Sequence, residues 1–450
     1  MANLKIRLLE ALRGTRALRF LNDFEQSQWW PRERLLEDQD AKLRDVIRHA
    51  AAYVPFYRDY FKNNGLKPEE IQGQHDLGKL PVVDKRLITG SYRNFVADNA
   101  ARFKPRKHTT AGTTGTPFFY LLDQKAWSAG WAATWRGWGW GGYNVGDRMA
   151  LLAGSALFQS RLEGGLKAWR SWLYYNLLQN MLPLSAFDLN DRRFEHYVTL
   201  IRRRRPRFLR GYAQALHAFA DFCRKRGIND LSFKAVFSTA EQLFPWQKEE
   251  IEEQFKCRVF DGYGCYDGSL NAMECECHRG YHLAMETAIF EFIRDGKPVR
   301  SGESGEILAT SLCNYSFPFI RYRVGDEGVP SDRDCSCGRG LALMEKIEGR
   351  CNDFIVTPDG KRVHSEFFSH IFWETPWVSQ FQVRQENPAN VDILIVKNRD
   401  VRPEELARVR DTVAARLTGV RIQVSFVDRI DDTRAGKRRF IVSQTTAFRG

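Results

Sequence analysis

A strand, a helix and a second strand follow one another between residues 234 and 264, and this order limits the fold more than any other feature of the chain. Lys234-Ala-Val-Phe-Ser-Thr-Ala240 and Arg258-Val-Phe-Asp-Gly-Tyr-Gly264 are short apolar runs of strand character, and the Glu- and Lys-rich stretch from about Pro245 to Phe255 reads as a helix between them. Strands joined across a helix pair in parallel, and a parallel sheet opens its binding crevice at the C-terminal ends of its strands. Ser238-Thr239-Ala240-Glu241 and Tyr263-Gly264 occupy those ends, so a ligand site is expected there.

Residues 109–117, Thr-Thr-Ala-Gly-Thr-Thr-Gly-Thr-Pro, supply a second constraint. Gly112 and Gly115 allow backbone N–H groups to converge, and Thr109, Thr110, Thr113, Thr114 and Thr116 add hydroxyl donors without charge, which suits an anionic phosphate. No Lys follows the second glycine, which separates the loop from the Gly-x-x-x-x-Gly-Lys-Thr type. A polar hairpin turn is the plain alternative. Phe118-Phe-Tyr-Leu-Leu122 follows as a strand.

At 450 residues the chain exceeds one ordinary core, so a large domain of sub-lobes with a smaller one attached is expected. The nine Cys include Cys257, Cys265, Cys275, Cys277 and a Cys335-Ser-Cys337 pair, a pattern that favours metal or buried thiols over a secreted disulfide framework. A reducing cytoplasm is the expected compartment. No run of about 18 uncharged apolar residues and no signal-peptide core are found, so neither spanning nor secretion is expected. The net charge of +13 and the run Arg202–Arg205, with Arg207 and Arg210, invite a polyanion or a membrane surface. The favoured reading is a solvated helix end: His196 to Ile201 has helical spacing, Pro206 stops it, and cations complement the C-terminal dipole. No nucleic-acid motif is present, and at most peripheral membrane contact is expected.

Residues 1–65 read as helices, with an amphipathic run from Leu43 to Ala52 broken at Val54-Pro55-Phe56-Tyr57, and Leu80 to Lys85 reads as a turn opening another helix. Trp127, Trp131, Trp135 and Trp138 share one helix face, a packed helix more readily than a ligand-stacking stripe. Trp135, Trp138, Trp140 and Phe158 offer material for an apolar pocket. Short strands follow from Gly305 to Asp326, Asp359-Gly360 suits a hairpin turn, and the last hundred or so residues read as a separate α+β unit with strands at Val391–Val396 and Val420–Val427 around a helix from Pro403 to Leu417.

The loop, Ser238 to Glu241, Tyr263-Gly264, Asp326, Gly349-Arg350 and Gly436-Lys437 occur in an order that resembles the adenylate-forming superfamily of acyl-CoA synthetases. Pro318-Phe-Ile-Arg321-Tyr322-Arg323-Val-Gly325-Asp326, Cys335-Ser-Cys337-Gly338-Arg339-Gly340 and Val54-Pro55-Phe56-Tyr57 resemble the phenylacetate-CoA ligase branch, which includes CapK-type proteins of capsular polysaccharide clusters. The resemblance implies an α/β fold: an N-terminal adenylation domain over 1–350, of mixed sheets with helices and a helical region at about 1–100, and a small mobile α+β domain over 351–450, hinged near Asn352. It implies ATP-dependent conversion of a carboxylic acid to an acyl adenylate, with Mg²⁺, then transfer to CoA, an amine or a sugar, with a role in surface polysaccharide as one branch option. A homodimer is left open. Thr109 to Thr116 would hold the β and γ phosphates. Glu241 and Tyr263, with Ala240, Asp261 and Gly264, would line the adenine pocket; Asp326 would accept the ribose hydroxyls, and Arg350 would contact ribose or phosphate. Lys437 would deliver charge to the α-phosphate.

One departure stands out. Where the family commonly has Tyr-Gly-x-Thr-Glu, this chain has Tyr263-Gly264-Cys265-Tyr266-Asp267, so the hydroxyl falls to Tyr266 and the magnesium-side carboxylate to the shorter Asp267. An impaired adenylate-binding scaffold is therefore an alternative, and a basic polyanion- or membrane-binding protein is another. Cys275-Glu-Cys277-His278-Arg-Gly-Tyr-His282 and Cys335-Ser-Cys337 offer thiolates and imidazoles for a closed tetrahedral site within residues 265–340, read as an insert. The resemblance points to Cys275, His282, Cys335 and Cys337 as a structural zinc set, with Cys277 or His278 as substitutes and ordinary buried thiols as the alternative.

Overall fold

The computed structural model describes residues 6–110, 118–153, 180–350, 354–431 and 440–443, apart from 8–9, 12–13, 187–188, 360–361, 365–366, 369–370 and 373–374. The chain divides into two units, residues 1–324 with 328–347 and residues 325–327 with 348–450.

In the first unit, β1 (Arg106–Thr110) and β2 (Phe118–Leu122) pair antiparallel and flank residues 111–117, which lie outside the described residues. β3 (Met149–Ala153), β4 (Met181–Ser185), β5 (Phe208–Tyr212), β6 (Ala235–Thr239) and β7 (Arg258–Cys265) then form a parallel block in the order β4-β3-β5-β6-β7. Their near-continuous apolar runs fit a sheet covered on both faces. Leu216 and Phe219 of the helix Ala213–Lys225, and Ile251 and Phe255 of the helix Pro245–Phe255, pack with Val236 and Val259 on one face. Trp138 of the helix Gln124–Trp140 packs with Phe208, Phe237 and Phe260 on the other. The tryptophan stripe is thus largely structural: Trp138 is buried, while Trp131 and Trp135 are partly buried against the same cluster.

The remaining strands are β8 (Leu270–Glu274), β9 (Tyr281–Leu283), β10 (Ala288–Arg294), β11 (Lys297–Pro298), β12 (Gly305–Ser311), β13 (Tyr322–Ser331) and β14 (Leu343–Arg350). Among the described residues they extend the parallel block to a twelve-stranded sheet ordered β11-β10-β12-β13-β14-β9-β8-β7-β6-β5-β3-β4. Within residues 265–340, where a zinc-binding insert was expected, strands are woven into this sheet: β8 returns antiparallel along β7, and β9 along β8.

The long N-terminal helix spans Arg32–Tyr53, beginning well before Leu43. Leu35, Gln39, Leu43, Val46, Ile47 and Ala50 form its buried stripe, and the polar Gln39 disguised the periodicity. Its side-chain amide donates to the carbonyls of Met285 and Ala288 at 2.8 and 2.9 Å, which makes that burial tolerable. Pro55 ends the run by opening the next helix, Pro55–Asn63.

In the second unit, β15 (Phe354–Val356) pairs antiparallel with β16 (Arg362–His364), as the hairpin reading of Asp359-Gly360 requires. β17 (Val378–Asn387), β18 (Asn390–Lys397), β19 (Arg421–Phe426) and β20 (Ile441–Ser443) form a sheet in the order β19-β18-β17-β20. The helix Pro403–Arg416 links the parallel pair β18 and β19 and buries Val409 and Val413. No described helix is long and apolar enough to cross a membrane.

Gly211 of β5 marks the closest approach within the parallel block: a Cβ there would lie 2.5 Å from the Leu152 carbonyl oxygen of β3. Gly211→Ala is expected to cost about 2 kcal/mol of stability through forced strand separation, read as a lowered urea midpoint; an unchanged midpoint would refute this close packing.

Candidate active site

The C-terminal ends of β6 and β7 hold the densest group of candidate residues. Ala240, just past β6, has φ +70°, a left-handed conformation that costs a non-glycine residue roughly 1–2 kcal/mol. Such strain persists where surrounding contacts fix the backbone, commonly at ligand sites. Glu241 follows, and its Oε2 accepts the N–H of Gln214 at 3.0 Å. That N–H lies in the first turn of the helix after β5, so the carboxylate meets the positive end of the helix dipole and ties the two strand ends together. Tyr263 is partly buried against the main core, and Gly264 is exposed.

Asp261 of β7 is buried in a polar network. Its Oδ2 accepts the Tyr281 hydroxyl at 2.6 Å, and its backbone N–H donates to Glu274 Oε2 at 2.9 Å. Glu274 also receives Lys248 at 2.7 and 2.9 Å and His278 at 3.2 Å. Burial, reinforced by the Glu274 charge, pushes the Asp261 carboxyl up to about 6. For Glu274 burial acts upward too, but His278 and Lys248 outweigh it and hold the carboxyl below its ordinary value. The pair therefore divides into a fixed anion and an acid that titrates near neutrality.

Tyr266 and Asp267, the departure from the family pattern, point to different environments. Tyr266 is 47% exposed and stacks on Trp127 with ring centroids 5.9 Å apart. Asp267 is buried, with Oδ1 accepting the Cys265 thiol at 2.6 Å and Oδ2 accepting the Tyr322 hydroxyl at 2.7 Å and facing the Lys85 ammonium at 3.2 Å. Burial pushes this carboxyl up, yet Lys85, Cys265 and Tyr322 more than offset it, and Asp267 stays below the usual carboxylate range. Among the described residues Asp267 thus presents no open pair of oxygens to Mg²⁺, and Lys85 supplies the positive charge beside it. Sequence reasoning saw Lys85 only as a turn residue. Its helix, Lys85–Gly90, is capped by Asp84, whose Oδ1 accepts the Leu87 N–H at 2.8 Å, and a bridge between Val83 and Tyr322 draws it to the site.

Thr109 is an exposed residue of β1, and for Thr110 the backbone is described. Gly112, Thr113, Thr114, Gly115, Thr116, Phe158, Asn352 and Lys437 lie outside the described residues. Arg350 ends β14, with its backbone described, and Asp326 sits on β13 directly after Gly325, which has φ +86°. The arginine run ends the helix Asp191–Arg204, as its spacing suggested, with Arg205 left-handed at the cap. Arg202 pairs with Asp230 through two contacts of 2.7 Å and, with Arg205, Arg207 and Lys234, rims a basic hollow of about 640 Å³. It lies at the N-terminal ends of β5 and β6, away from the crevice.

A second constellation joins Cys275, His282, Cys335 and Cys337, whose ligand atoms all lie within 4.8 Å of one another. Cys275 Sγ is 3.6 Å from Cys335 Sγ, and Cys337 Sγ is 3.3 Å from His282 Nε2. A tetrahedron with Zn–S near 2.3 Å and Zn–N near 2.0 Å has edges of about 3.8 and 3.5 Å, so the donor set fits zinc. Burial lowers His282 to about 4, which keeps its imidazole neutral and able to ligate. Of the suggested substitutes, His278 turns to Glu274 and Lys248, while Cys277 packs beside the four, its backbone N–H donating to Cys275 Sγ at 3.4 Å and its own Sγ accepting the Ser336 hydroxyl at 3.4 Å. Pairing of β9 with β14 sets His282 opposite Leu343 and so brings the Cys335-Ser-Cys337 turn to Cys275. That turn also anchors the N-terminal helices. Arg339 contacts Glu276 at 2.9 Å and Gln28 at 3.1 Å, and Gly340 N–H donates to the Gln28 carbonyl at 2.9 Å.

With this geometry in view, the similarities are informative. The CapK C-terminal domain family matches residues 355–444. Phenylacetate-coenzyme A ligase of Thermus thermophilus is 26% identical over 341 residues, covering 72% of each chain. Protein CapK of Staphylococcus aureus is 22% identical over 415 residues, covering 91% of this chain and 89% of its own. Among solved structures, 2-hydroxyisobutyryl-CoA ligase in the postadenylation state with 2-HIB-AMP has the same fold, with a TM-score of 0.75 at 20% identity, covering 94% of this chain and 93% of that one. In fold the chain is like an acyl-CoA ligase bound to its adenylate, and in sequence it is similar to phenylacetate-coenzyme A ligases and to CapK.

Asp261 leaves a signature in the pH dependence of stability. Its folded value of about 6 exceeds the ordinary 3.8, so the folded state holds its proton longer, and stability falls as pH rises through that window. The loss amounts to on the order of 3 kcal/mol above pH 6. Asp261→Asn is expected to flatten that part of the stability profile in denaturant melts between about pH 4 and 7; an unchanged slope would show that Asp261 is ionised throughout.

Proposed function

We propose that this protein uses ATP to convert a carboxylic acid into an acyl adenylate and then transfers the acyl group to the thiol of CoA. The observation that carries this reading is the meeting, at the ends of adjacent parallel strands, of the strained Ala240, Glu241, Tyr263 and the Tyr266-Asp267 pair, in a fold shared with a ligase bound to its acyl adenylate. A carboxylate oxygen of the acid would attack the α-phosphorus, with pyrophosphate leaving; the CoA sulfur would then attack the acyl carbon, with AMP leaving. Such chemistry depends on positioning and charge. In this reading Thr109 to Thr116 grip the β and γ phosphates, and Ala240, Glu241, Asp261, Tyr263 and Gly264 bound the adenine. Asp326 takes the ribose hydroxyls, Arg350 contacts ribose or phosphate, and Lys437 faces the α-phosphate. Lys85 adds a cation beside Asp267, so magnesium would accompany the ATP phosphates instead of resting on that carboxylate. The small domain would turn about Asn352 between half-reactions.

The engaged oxygens of Asp267 favour one second reading, a scaffold that binds adenylate without turnover. Exchange of labelled pyrophosphate into ATP over a panel of acids separates the two. At least one acid is expected to support exchange, and Lys437→Ala to slow it by about 10²-fold or more. Nucleotide binding with no exchange for any acid would establish the scaffold.

We also propose a structural zinc on Cys275, His282, Cys335 and Cys337. Four protein ligands close the coordination sphere, so the metal would brace the turn that holds the N-terminal helices and take no part in the chemistry. Elemental analysis of protein purified without chelator is expected to give about one zinc per chain, and Cys335→Ser to lose the metal and several degrees of thermal stability. A metal-free protein of undiminished stability would rule the site out.

A further inference from the structure

Arg210 stands apart from the arginine run in which its sequence position placed it. It lies on β5, in register with Leu151 of β3 and Phe237 of β6, two residues before the C-terminal end of its strand. Alternation along the strand puts its side chain on the face of Phe208 and Tyr212, the face covered by the tryptophan helix. Its guanidinium rests over the Trp138 ring, 5.0 Å from the centroid, among the apolar cluster that includes Tyr143, Phe208 and Phe237.

No acidic group among the described residues answers this charge. Burial lowers its pKa. More deeply buried arginines of the same unit are matched: Arg136 meets Glu286 at 2.5 Å, Arg321 meets Glu291 at 3.1 Å and Arg339 meets Glu276 at 2.9 Å. A guanidinium withdrawn from water without an anion is costly, and it is planar and permanently charged, suited to bidentate capture of a carboxylate or phosphate. Position supplies the second argument. Register sets Arg210 level with Phe237 and Phe260, two residues short of Tyr212, Thr239 and Gly262, so the cation lies below the crevice, on the side lined by Trp138. Its partial exposure leaves it reachable.

We propose that Arg210 receives a second anionic group carried by the acid substrate, so that the substrate class is a carboxylic acid with a further carboxylate or phosphate at its far end. This rests on the acid-activating reading given above. An apolar monoacid would leave the half-buried Arg210 unmatched, whereas a dianionic acid places one charge at the α-phosphate and the other on the guanidinium.

The test is pyrophosphate exchange with matched substrates: straight-chain dicarboxylic acids of several lengths, their monomethyl esters, and ω-phosphorylated acids of the same lengths. Wild-type protein is expected to favour a free diacid or phospho-acid over the corresponding monoester by at least about 30-fold in kcat/KM, with the better of the two arms identifying the second anion. Arg210→Leu should remove that preference, lowering the dianionic acid by about 10²-fold while leaving the monoester within about threefold, and Arg210→Lys should restore part of it. Equal use of monoester and diacid by the wild type overturns the inference without any variant, as does an Arg210→Leu protein that loses both substrates alike. If no acid supports exchange, the acid-activating reading fails first, and calorimetric titration of the diacid into wild-type protein with ATP decides the Arg210 site: absence of binding overturns it, and binding lost in Arg210→Leu upholds it.

Discussion

The parallel register of β5, β6 and β7 is the constraint on which the rest depends. Because Arg210, Phe237 and Phe260 stand side by side across three strands, one face of the sheet takes the tryptophan helix and the other takes the crossover helices. The same register aligns the strand ends, so Glu241 reaches the amide of Gln214 and the β7 end delivers Tyr263 to Asp267 beside them. A slip of one residue would exchange the two faces and scatter the site. Gly211 permits the close approach of β5 to β3 that holds the block together.

Charge inside this framework is handled by local compensation. Arg136 with Glu286, Arg321 with Glu291 and Lys248 with Glu274 are withdrawn from water as pairs. Where pairing is incomplete the chemistry becomes interesting. Asp261 escapes the cost of a second buried anion beside Glu274 by keeping its proton up to about pH 6. Asp267 does the reverse, held ionised by Lys85 and two hydrogen bonds, which gives the site a fixed ion pair. Arg210 has neither solution available among the described residues.

Much of the architecture was legible because it follows from local chemistry. The helix Pro245–Phe255 announces itself through Pro at its first position, and the strands on either side through β-branched and aromatic runs. Gln39 shows where such reading fails: a polar residue on a buried stripe breaks the period, and its two carbonyl partners come from a segment some 250 residues away. Lys85 was illegible for the same reason, since nothing near it in sequence hints at Asp267. The Cys and His cluster was half-legible. Residue types and spacing marked the two clusters and the resemblance pointed to Cys275, His282, Cys335 and Cys337, but only the fold gathered these four and gave His278 to Glu274 and Lys248.

By itself, then, the sequence determined the class of fold, the order of its elements and the strand ends where the candidate site gathers, because each of these rests on residues adjacent along the chain. Tertiary structure alone decided that Asp267 is neutralised by Lys85, that the segment 265–340 belongs to the main sheet and that Arg210 lies under the crevice instead of at a solvated helix end. Those outcomes depend on which distant groups share a low-dielectric space, and the Coulomb and desolvation energies that settle them are properties of that space and of no single segment.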